Sequence, residues 1–534
     1  MNLATTGAVD TAAPLPEPPA EAGGARRALG TFGSWLRRPS VQTALAGLSG
    51  VLLTIAVMVP PMYADSDLVW TAALTWPDIP TTFPAIHHAM RLGTVLPVRL
   101  SQEILGPNQI AWIAASALFA AIFTAGFFAL GRALFRSSLI GTLAVALILI
   151  HPFFTVVDAF TRATTNGTGG LLPDMPAAGW YSLGVAALVI AARRADRRQT
   201  WWLVTAGLCM GLAYLTREYV AFMFVALPIF FVLLRMPMRR IVVMAFPMLG
   251  VLGFELVHNA IVYGDALARL KIAEEHEAPQ GGRLPLSRIL FGFLDGTANH
   301  TLGTLLVIAL TATVAGAVIF RDRRLILLVV WFLTLWVPFT ILGGLLDPVQ
   351  PSLKLHIERY WFLVYPPIIV GALATLKLTI ERVDRTGRRL VILAVTAVAL
   401  GAYVAPALAE LPKVHRDQDW RELRAWFAQH PEVGVIHTDD RTYKMIDFYT
   451  MTMTGRQVWD GEVRRFRHHT PVLPVDEIGR DPYLETLYGA RERPDTADGW
   501  RILFRSENGV LTIWQRSPAN GGGPPIERTT RGRP

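Results

Sequence analysis

Two things are scarce in this sequence of 534 residues, cysteine and charge. The single cysteine, Cys209, excludes an internal disulfide and any zinc site built from several cysteines. Charged residues make up only 17% of the chain, whereas soluble domains carry roughly a quarter. A Walker A loop and a convincing Gly-x-Gly-x-x-Gly motif are also missing, which argues against a nucleotide site. The composition therefore disfavours both a series of soluble domains and a nucleotide-dependent enzyme.

Hydrophobic residues, in contrast, make up 52% of the chain, and the mean hydropathy is +0.38. A transmembrane helix needs about 20 mostly apolar residues. Eleven stretches qualify: 41–63, 109–131, 138–157, 175–192, 200–216, 219–235, 241–262, 302–320, 325–343, 359–376 and 390–408. They predict a polytopic α-helical membrane protein whose transmembrane domain covers residues 39–408. Residues 1–38 and 516–534 are rich in proline, glycine and polar residues and are predicted to be disordered tails.

The net charge of +9 follows this membrane topology. Cytoplasmic loops carry an excess of lysine and arginine, and placing the N-terminus inside puts about twice as many basic residues in inside segments as in outside ones. This orientation predicts a multi-pass protein of the cytoplasmic (inner) membrane with a cytoplasmic N-terminus. Since the basic residues are explained by topology, nucleic acid is not expected as a partner.

Residues 409–515, after the last apolar stretch, are then predicted to form a small extracytoplasmic α/β domain. Apolar residues recur at helical spacing over Trp420–His430. Val433–His437 is typical of a strand, and the segments Arg501–Arg505 and Val510–Gln515 flank Asn508-Gly509, a strong hairpin signal.

The first outside loop, residues 64–108, has the richest set of polar residues. It opens with Asp65-Ser66-Asp67 directly after the first apolar stretch. The two carboxylates could act as a general base or could hold a divalent cation, while the simpler alternative is a pair of helix-capping acids. His87, His88 and Arg91 follow, and Leu68–Leu74 and Ala85–Leu92 are predicted to form short interfacial helices.

Other polar residues also collect at the predicted outer ends of the apolar stretches, where ionisable groups mark functional sites by default. They are Arg162, Asp174, Arg217, Glu218, Lys271, His356 and Arg359. Asp174 could equally be a helix cap, and Arg359 could be an arginine reaching for lipid headgroups. Glu255, His258 and Asn259 share one helix face and favour a structural network slightly over a binding surface. The charge run around Lys271 is interpreted as solvated, with Lys271 as the weak exception.

Carboxylates beside several cations at the outer membrane edge suit one kind of chemistry. The cations would hold a phosphate that leaves, and a carboxylate would deprotonate an attacking hydroxyl. This is the logic of glycosyl transfer from a polyprenyl-phosphate sugar.

The sequence resembles the GT-C superfamily of glycosyltransferases, in particular the bacterial branch related to protein O-mannosyltransferases and the lipid A aminoarabinose transferase. The motifs that carry the resemblance are Asp65-Ser66-Asp67, His88-Ala89-Met90-Arg91-Leu92-Gly93, Pro173-Asp174-Met175-Pro176, Gly211–Glu218 and Arg359-Tyr360 with Pro366-Pro367. Arg217 stands where the family usually has lysine.

The resemblance implies a polyprenyl-phosphate-linked sugar donor, a lipid, glycan or protein acceptor, and inversion at the anomeric carbon. It implies Asp65 as the catalytic base with Asp67 as the second choice. Arg91, Arg217, His356, Arg359 and Lys271 would hold the donor phosphate, and His87, His88, Arg162, Asp174 and Glu218 would line the acceptor side. Some members of the family need a divalent cation and others do not, and Asp65, Asp67 and His88 could hold Mg²⁺ or Mn²⁺ here.

Two alternatives from other classes remain open. A transporter or flippase of lipid-linked sugars would place its charges near the bilayer midplane, often on broken helices. A non-catalytic assembly factor of the cell envelope would tolerate Asp65→Asn.

Overall fold

The computed structural model describes residues 36, 38–56, 64–78, 85–150, 170–276, 301–341, 362–383, 386–409, 418–467, 472–486 and 494–517. Three predicted site residues, Arg162, His356 and Arg359, lie outside these ranges, as does the side chain of Asp65. The two predicted tails fall almost entirely outside them too, so the predictions for the tails stay predictions.

Up to residue 409 the described chain is built from helices. In chain order they are α1 (Pro39–Ala56), α2 (Ala64–Thr75), α3 (Ala85–Ala89), α4 (Leu92–Leu105), α5 (Gln109–Phe135), α6 (Ser138–Leu149), α7 (Asp174–Ala192), α8 (Arg198–Thr216), α9 (Val220–Met223), α10 (Leu227–Leu233), α11 (Ile241–Val262), α12 (Ala268–His276), α13 (Thr301–Phe320), α14 (Arg323–Ile341), α15 (Tyr365–Arg382) and α16 (Thr386–Ala409). Each of the eleven predicted apolar stretches overlaps one or two of them. The helical fold class is confirmed, and α2 and α3 correspond to the two short helices expected in the first loop.

The number of membrane spans is a separate matter. Within the described ranges, four helical segments are long and apolar enough to cross a membrane: Pro39–Ala56, Gln109–Phe135, Asp174–Ala192 and Met238–Val262. Ser138–Leu149, Val220–Leu233 and Val307–Phe320 are apolar but shorter. The predicted stretch 219–235 is divided, because a 3-10 turn at Phe224–Ala226 separates α9 from α10. The figure of eleven spans therefore stays a prediction.

Small residues let the central helices approach closely. A Cβ atom added to Gly126 on α5 would lie 2.6 Å from the carbonyl oxygen of Gly179 on α7. Such backbone contact is typical of helix pairs in membranes, where close packing replaces the hydrophobic driving force. It fixes α7 against α5 and so sets the position of Asp174, the first residue of α7.

The C-terminal part has the predicted α/β architecture. It contains α17 (Gln418–Gln429), β1 (Val435–Asp439), α18 (Asp440–Thr450), β2 (Glu462–Phe466), α19 (Val475–Ile478), β3 (Tyr483–Thr486), β4 (Trp500–Arg505) and β5 (Leu511–Arg516). The sheet order is β2-β1-β3-β5-β4; β1 is parallel to β2 and β3, and β5 is antiparallel to β3 and β4. Asn508-Gly509 lies in the predicted β4–β5 hairpin, with Gly509 at φ +68°.

This domain docks against the start of α5. The Gln109 amide donates hydrogen bonds to the carbonyl oxygens of Phe448 (3.0 Å) and Met451 (3.2 Å). The Phe448 ring also lies 5.4 Å from the ring of Trp112 on α5 and 6.0 Å from that of Trp70 on α2. The C-terminal domain therefore lies at the same end of the helices as the first predicted outside loop.

Candidate functional site

The first-loop acids lie beside the segment that leads into α7. Ser66 is buried, and its hydroxyl oxygen accepts a hydrogen bond from the backbone amide of Leu171 (3.2 Å). Asp67 is half-buried on the same helix, α2. Because Leu171 is three residues before Asp174, this contact brings the Asp65–Asp67 segment and the start of α7 together, as the sequence predicts.

Arg91 lies between α3 and α4 and is fully enclosed by polar partners. Its guanidinium donates to both carboxylate oxygens of Glu218 at 3.3 and 3.1 Å, to Nδ1 of His88 at 3.2 Å, and to Nε2 of His87. A guanidinium can only donate, so those two imidazole nitrogens must accept. His87 and His88 are therefore neutral while they contact Arg91.

A glycine allows this approach of the first loop to α8. A Cβ atom on Gly93 would lie 2.6 Å from the backbone nitrogen of Thr216, the last residue of α8. Only a residue without a Cβ atom fits there unless the backbone shifts. Gly93 thus sets the separation between Arg91, two residues before it, and Glu218, two residues after Thr216.

Glu218 is the central anion of the site. Besides Arg91, it contacts Arg217 at 3.4 Å and Arg269 at 3.1 Å, and its side chain is 2% exposed. Burial alone would raise the pKa of Glu218, but the neighbouring arginines outweigh it and hold that pKa well below its ordinary value. Glu218 is therefore a carboxylate at neutral pH.

Arg217 connects Glu218 to the start of α7. Its Nε lies 3.0 Å from Oδ1 of Asp174, and its guanidinium lies 4.7 Å above the ring of Tyr219. The Tyr219 hydroxyl also donates to Oδ1 of Asp174 (2.6 Å). Pro173, and not Asp174, occupies the N-cap position of α7. The alternative of Asp174 as a simple helix cap is therefore wrong, because its carboxylate pairs with groups from the end of α8.

Arg269 belongs to the charged segment around Lys271, which was predicted to face solvent, but its side chain is buried. It contacts Glu218, Glu255 on α11, and the backbone oxygen of Tyr214 (3.2 Å). The usable signal was Glu255 itself, since a carboxylate within an apolar helix requires a cation nearby. Lys271, the residue chosen from that run, has a side chain that is 65% exposed and pairs with Asp265.

These groups form one buried set, here called the Glu218 network: Arg91, Arg217, Arg269, Asp174, Glu218 and Glu255. The three cations and three carboxylates balance in charge. The interpretation of Glu255 as a structural residue fits its ion pair with Arg269.

A metal site does not emerge from the part of the chain that the structure describes. No group of three histidine, cysteine, aspartate or glutamate side chains there could hold an ion. Of the predicted set, the Asp65 side chain is not described, and Nδ1 of His88 accepts from Arg91. A divalent cation at Asp65, Asp67 and His88 remains an untested prediction.

Part of the chain that contains this site matches a known protein family. Residues 95–263 match the sequence model of a family described as dolichyl-phosphate-mannose-protein mannosyltransferase. The matched range includes Asp174, Arg217, Glu218 and Glu255. No curated protein matches the chain.

Solved structures share its fold at low sequence identity. ArnT from Cupriavidus metallidurans, in the apo state, is 12% identical, with a TM-score of 0.50 over 89% of this chain and 98% of that one. The same protein bound to undecaprenyl phosphate is 13% identical, with a TM-score of 0.48 over 91% of this chain and 99% of that one. An oligosaccharyltransferase from Archaeoglobus fulgidus, in complex with Zn and sulfate, is 11% identical, with a TM-score of 0.46 over 88% of this chain and 72% of that one. The resemblance found in the sequence is confirmed: this chain has the fold of the GT-C glycosyltransferases, and residues 95–263 match the mannosyltransferase family model.

Proposed function

We propose that this protein is a membrane glycosyltransferase that moves a sugar from a polyprenyl-phosphate donor to an acceptor hydroxyl at the outer face of the cytoplasmic membrane, with inversion. The observation that carries this proposal is that helix α2, which holds Asp65 and Asp67, lies at the same end of the helices as the Glu218 network. Ser66 binds Leu171 there, and Arg91 binds Glu218 there. A transporter would instead be expected to place its charges at mid-depth.

The family match supports the choice of donor. Its description names a dolichyl-phosphate-linked mannose, and the matched range contains four of the six members of the network. When the sugar is transferred to the acceptor, the polyprenyl phosphate departs as an anion, so the enzyme has to stabilise that anion and activate a hydroxyl. The sugar itself and the class of acceptor, whether lipid, glycan or protein, are questions for the assay below.

In this mechanism Asp65, or Asp67 as the second choice, takes the proton from the acceptor hydroxyl as it attacks the anomeric carbon. The bond from that carbon to the phosphate oxygen breaks on the opposite face, which gives inversion. His87, His88 and Arg162 are proposed to face the acceptor.

Charge balance indicates where the donor phosphate binds. The arginines of the Glu218 network are already matched by carboxylates, and Arg91 uses four of its guanidinium N–H groups on Glu218, His87 and His88. A phosphate therefore needs cations from outside the network. His356 and Arg359 are the proposed source, and Arg91, Arg217 and Lys271 are proposed to assist them.

Glu218 then takes a different role from the acceptor contact that the sequence suggested. It is proposed as a positioning residue, because one carboxylate holds arginines from three separate segments. Because these side chains are already fixed before the substrate binds, the entropy cost of ordering them does not add to the activation free energy.

The direct test measures consumption of a panel of polyprenyl-phosphate sugars by the purified protein in detergent. Asp65→Asn is expected to abolish transfer while membrane insertion persists. Asp78→Asn is the matched control, since Asp78 is an exposed acid of the same loop. Near-normal transfer by Asp65→Asn and by Asp67→Asn would show that the base is assigned wrongly. Failure of the wild type on every donor would contradict the proposed function.

A further inference from the structure

The opposite end of α5 carries a second set of arginines, here called the Arg136 group: Arg136, Arg193 and Arg324. Arg193 follows α7 and donates to the backbone oxygen of Leu134 (2.9 Å). Arg324, at the start of α14, lies with its guanidinium 5.0 Å from the ring centre of Phe135. Arg136 itself ends α5. Three arginines from three segments thus converge on the last residues of one helix.

Their charge is not balanced. Asp322 accepts from Nε of Arg324 at 2.9 Å. Among the residues with described positions, neither Arg136 nor Arg193 has a carboxylate partner. Partial burial, and then the like charges of Arg136 and Arg324, lower the pKa of Arg193 below its ordinary value. Asp322 and, at longer range, Glu381 act on Arg324, so Arg136 and Arg193 are the members of the group that have no carboxylate partner among the described residues.

The backbone at Arg136 has an unusual conformation, which Arg235 and Arg321 share at other helix ends. Its φ is +50°, a left-handed conformation in which glycine is the usual residue after a helix and a side chain is strained. An arginine there keeps its guanidinium at the end of α5 despite this strain.

The position fits a lipid headgroup. α5 and α7 are two of the helices that are long enough to cross a membrane, so the residues just beyond their ends lie at headgroup level. Immediately after Arg136, Leu139 on α6 is 67% exposed and offers an apolar surface to acyl chains. Cations at headgroup level beside an exposed apolar helix match an anionic phospholipid, whose phosphate carries the charge and whose chains lie along the helix.

We propose that the Arg136 group is a binding site for the phosphate of an anionic phospholipid, at the end of the helices opposite to the Glu218 network. The proposal does not depend on the glycosyltransferase function, since it concerns other residues and another membrane face.

The test compares two glycine variants. Arg136→Gly removes one guanidinium from the group, and Arg235→Gly removes one from another exposed helix end. Both positions have positive φ, +50° and +56°, so glycine suits each backbone equally. Purified protein in neutral detergent is titrated with phosphatidylglycerol or phosphatidylcholine, and bound lipid is counted by native mass spectrometry.

The wild type is expected to prefer phosphatidylglycerol. Arg136→Gly should weaken that binding about fivefold, as for one surface arginine near an anionic lipid, and Arg136→Gly with Arg193→Gln about 25-fold. Arg235→Gly should leave it unchanged. Thermal unfolding without added lipid should be the same for Arg136→Gly and Arg235→Gly, which shows that both fold.

Three outcomes would overturn the proposal. Equal binding of phosphatidylglycerol and phosphatidylcholine would show that the site does not recognise an anionic headgroup. Equal weakening by Arg235→Gly would show that binding depends only on general surface charge. Inorganic phosphate is the third arm: if phosphate alone stabilises the protein as much as phosphatidylglycerol does, the ligand is a free anion and not a lipid.

Discussion

The Glu218 network and the Arg136 group lie at opposite ends of the same helices and contain three arginines each, but their surroundings differ. In the network every arginine contacts a buried carboxylate, whereas in the Arg136 group Arg324 is the one member with a described carboxylate partner, Asp322. Arg217 is 3% exposed, whereas Arg136 lies at the surface. Buried charges have to be paired within the protein, while charges at the headgroup level can be matched by lipid.

Removing the central anion of the network should produce the largest effect on stability. Glu218→Gln leaves three buried arginines without their shared carboxylate, and we expect the free energy of unfolding to fall by about 3–5 kcal/mol. Thermal or denaturant unfolding in neutral detergent measures this. Glu103→Gln is the control, because Glu103 is 58% exposed and its pair with Arg99 is a surface pair. A similar loss in both variants would mean that the network is no more than a surface feature.

The pH dependence of that difference follows from the lowered pKa of Glu218. A carboxylate whose pKa is lower in the folded state contributes stability above its unfolded pKa, about 4.3, and loses it as pH falls toward the folded value. The stability gap between wild type and Glu218→Gln should be complete at neutral pH and should narrow only in acid. If the gap is already lost when the pH has fallen only to about 6, the neighbouring histidines, whose ordinary pKa is about 6.5, are responsible instead.

Replacing a whole ion pair should cost less than breaking it. Arg269→Met leaves Glu255 without its arginine, and Glu255→Leu leaves Arg269 with Glu218 alone, whereas the double variant removes both charges and keeps the rest of the network balanced. We expect a coupling of about 1–3 kcal/mol in the double-mutant cycle. Additive losses would show that Glu255 and Arg269 do not act as a pair.

Gly93→Ala tests the spacing between the first loop and α8. The added Cβ atom would meet the backbone of Thr216, so the loop has to move, at a cost of about 1–3 kcal/mol. Transfer activity should fall as well, because Arg91 moves relative to Glu218. Gly250→Ala on α11 is the control, since a Cβ atom there meets nothing within 4 Å. Equal behaviour of the two alanine variants would show that the close approach is unimportant.

Salt should give the smallest effect and should separate the two ends. The preference of the Arg136 group for phosphatidylglycerol should decline as ionic strength rises, because exposed charges are screened over about 10 Å at 0.1 M salt. The stability difference between wild type and Glu218→Gln should hardly change, since buried pairs are screened much less. Lipid binding that is insensitive to salt would argue against an electrostatic site.

Much of the fold could be predicted from local patterns. The apolar stretches gave helices at the expected positions, and Asn508-Gly509 gave the β4–β5 hairpin. The first loop lies beside the segment that leads into Asp174, since Ser66 contacts Leu171. These features depend on residues that are close in sequence or on membrane sidedness.

The partners inside the site were less predictable. Arg217 was proposed as a phosphate ligand, yet its contacts are Asp174, Glu218 and Tyr219. Arg269 was interpreted as solvated and proved to be buried. The partners of Arg217 and Arg269 depend on which residues of a short inter-helix connection face the protein interior. Hydropathy does not predict that orientation.

The sequence by itself determined where the helices lie and that the C-terminal domain has an α/β architecture. Only the tertiary structure decided that Arg91 and Glu218, separated by 127 positions, share an ion pair. Hydrophobic partition acts on each segment separately, so it can be read from local composition. The pairing of buried charges depends on how close two helices approach, and here a glycine contact at Thr216 and the packing of α7 on α5 set that distance.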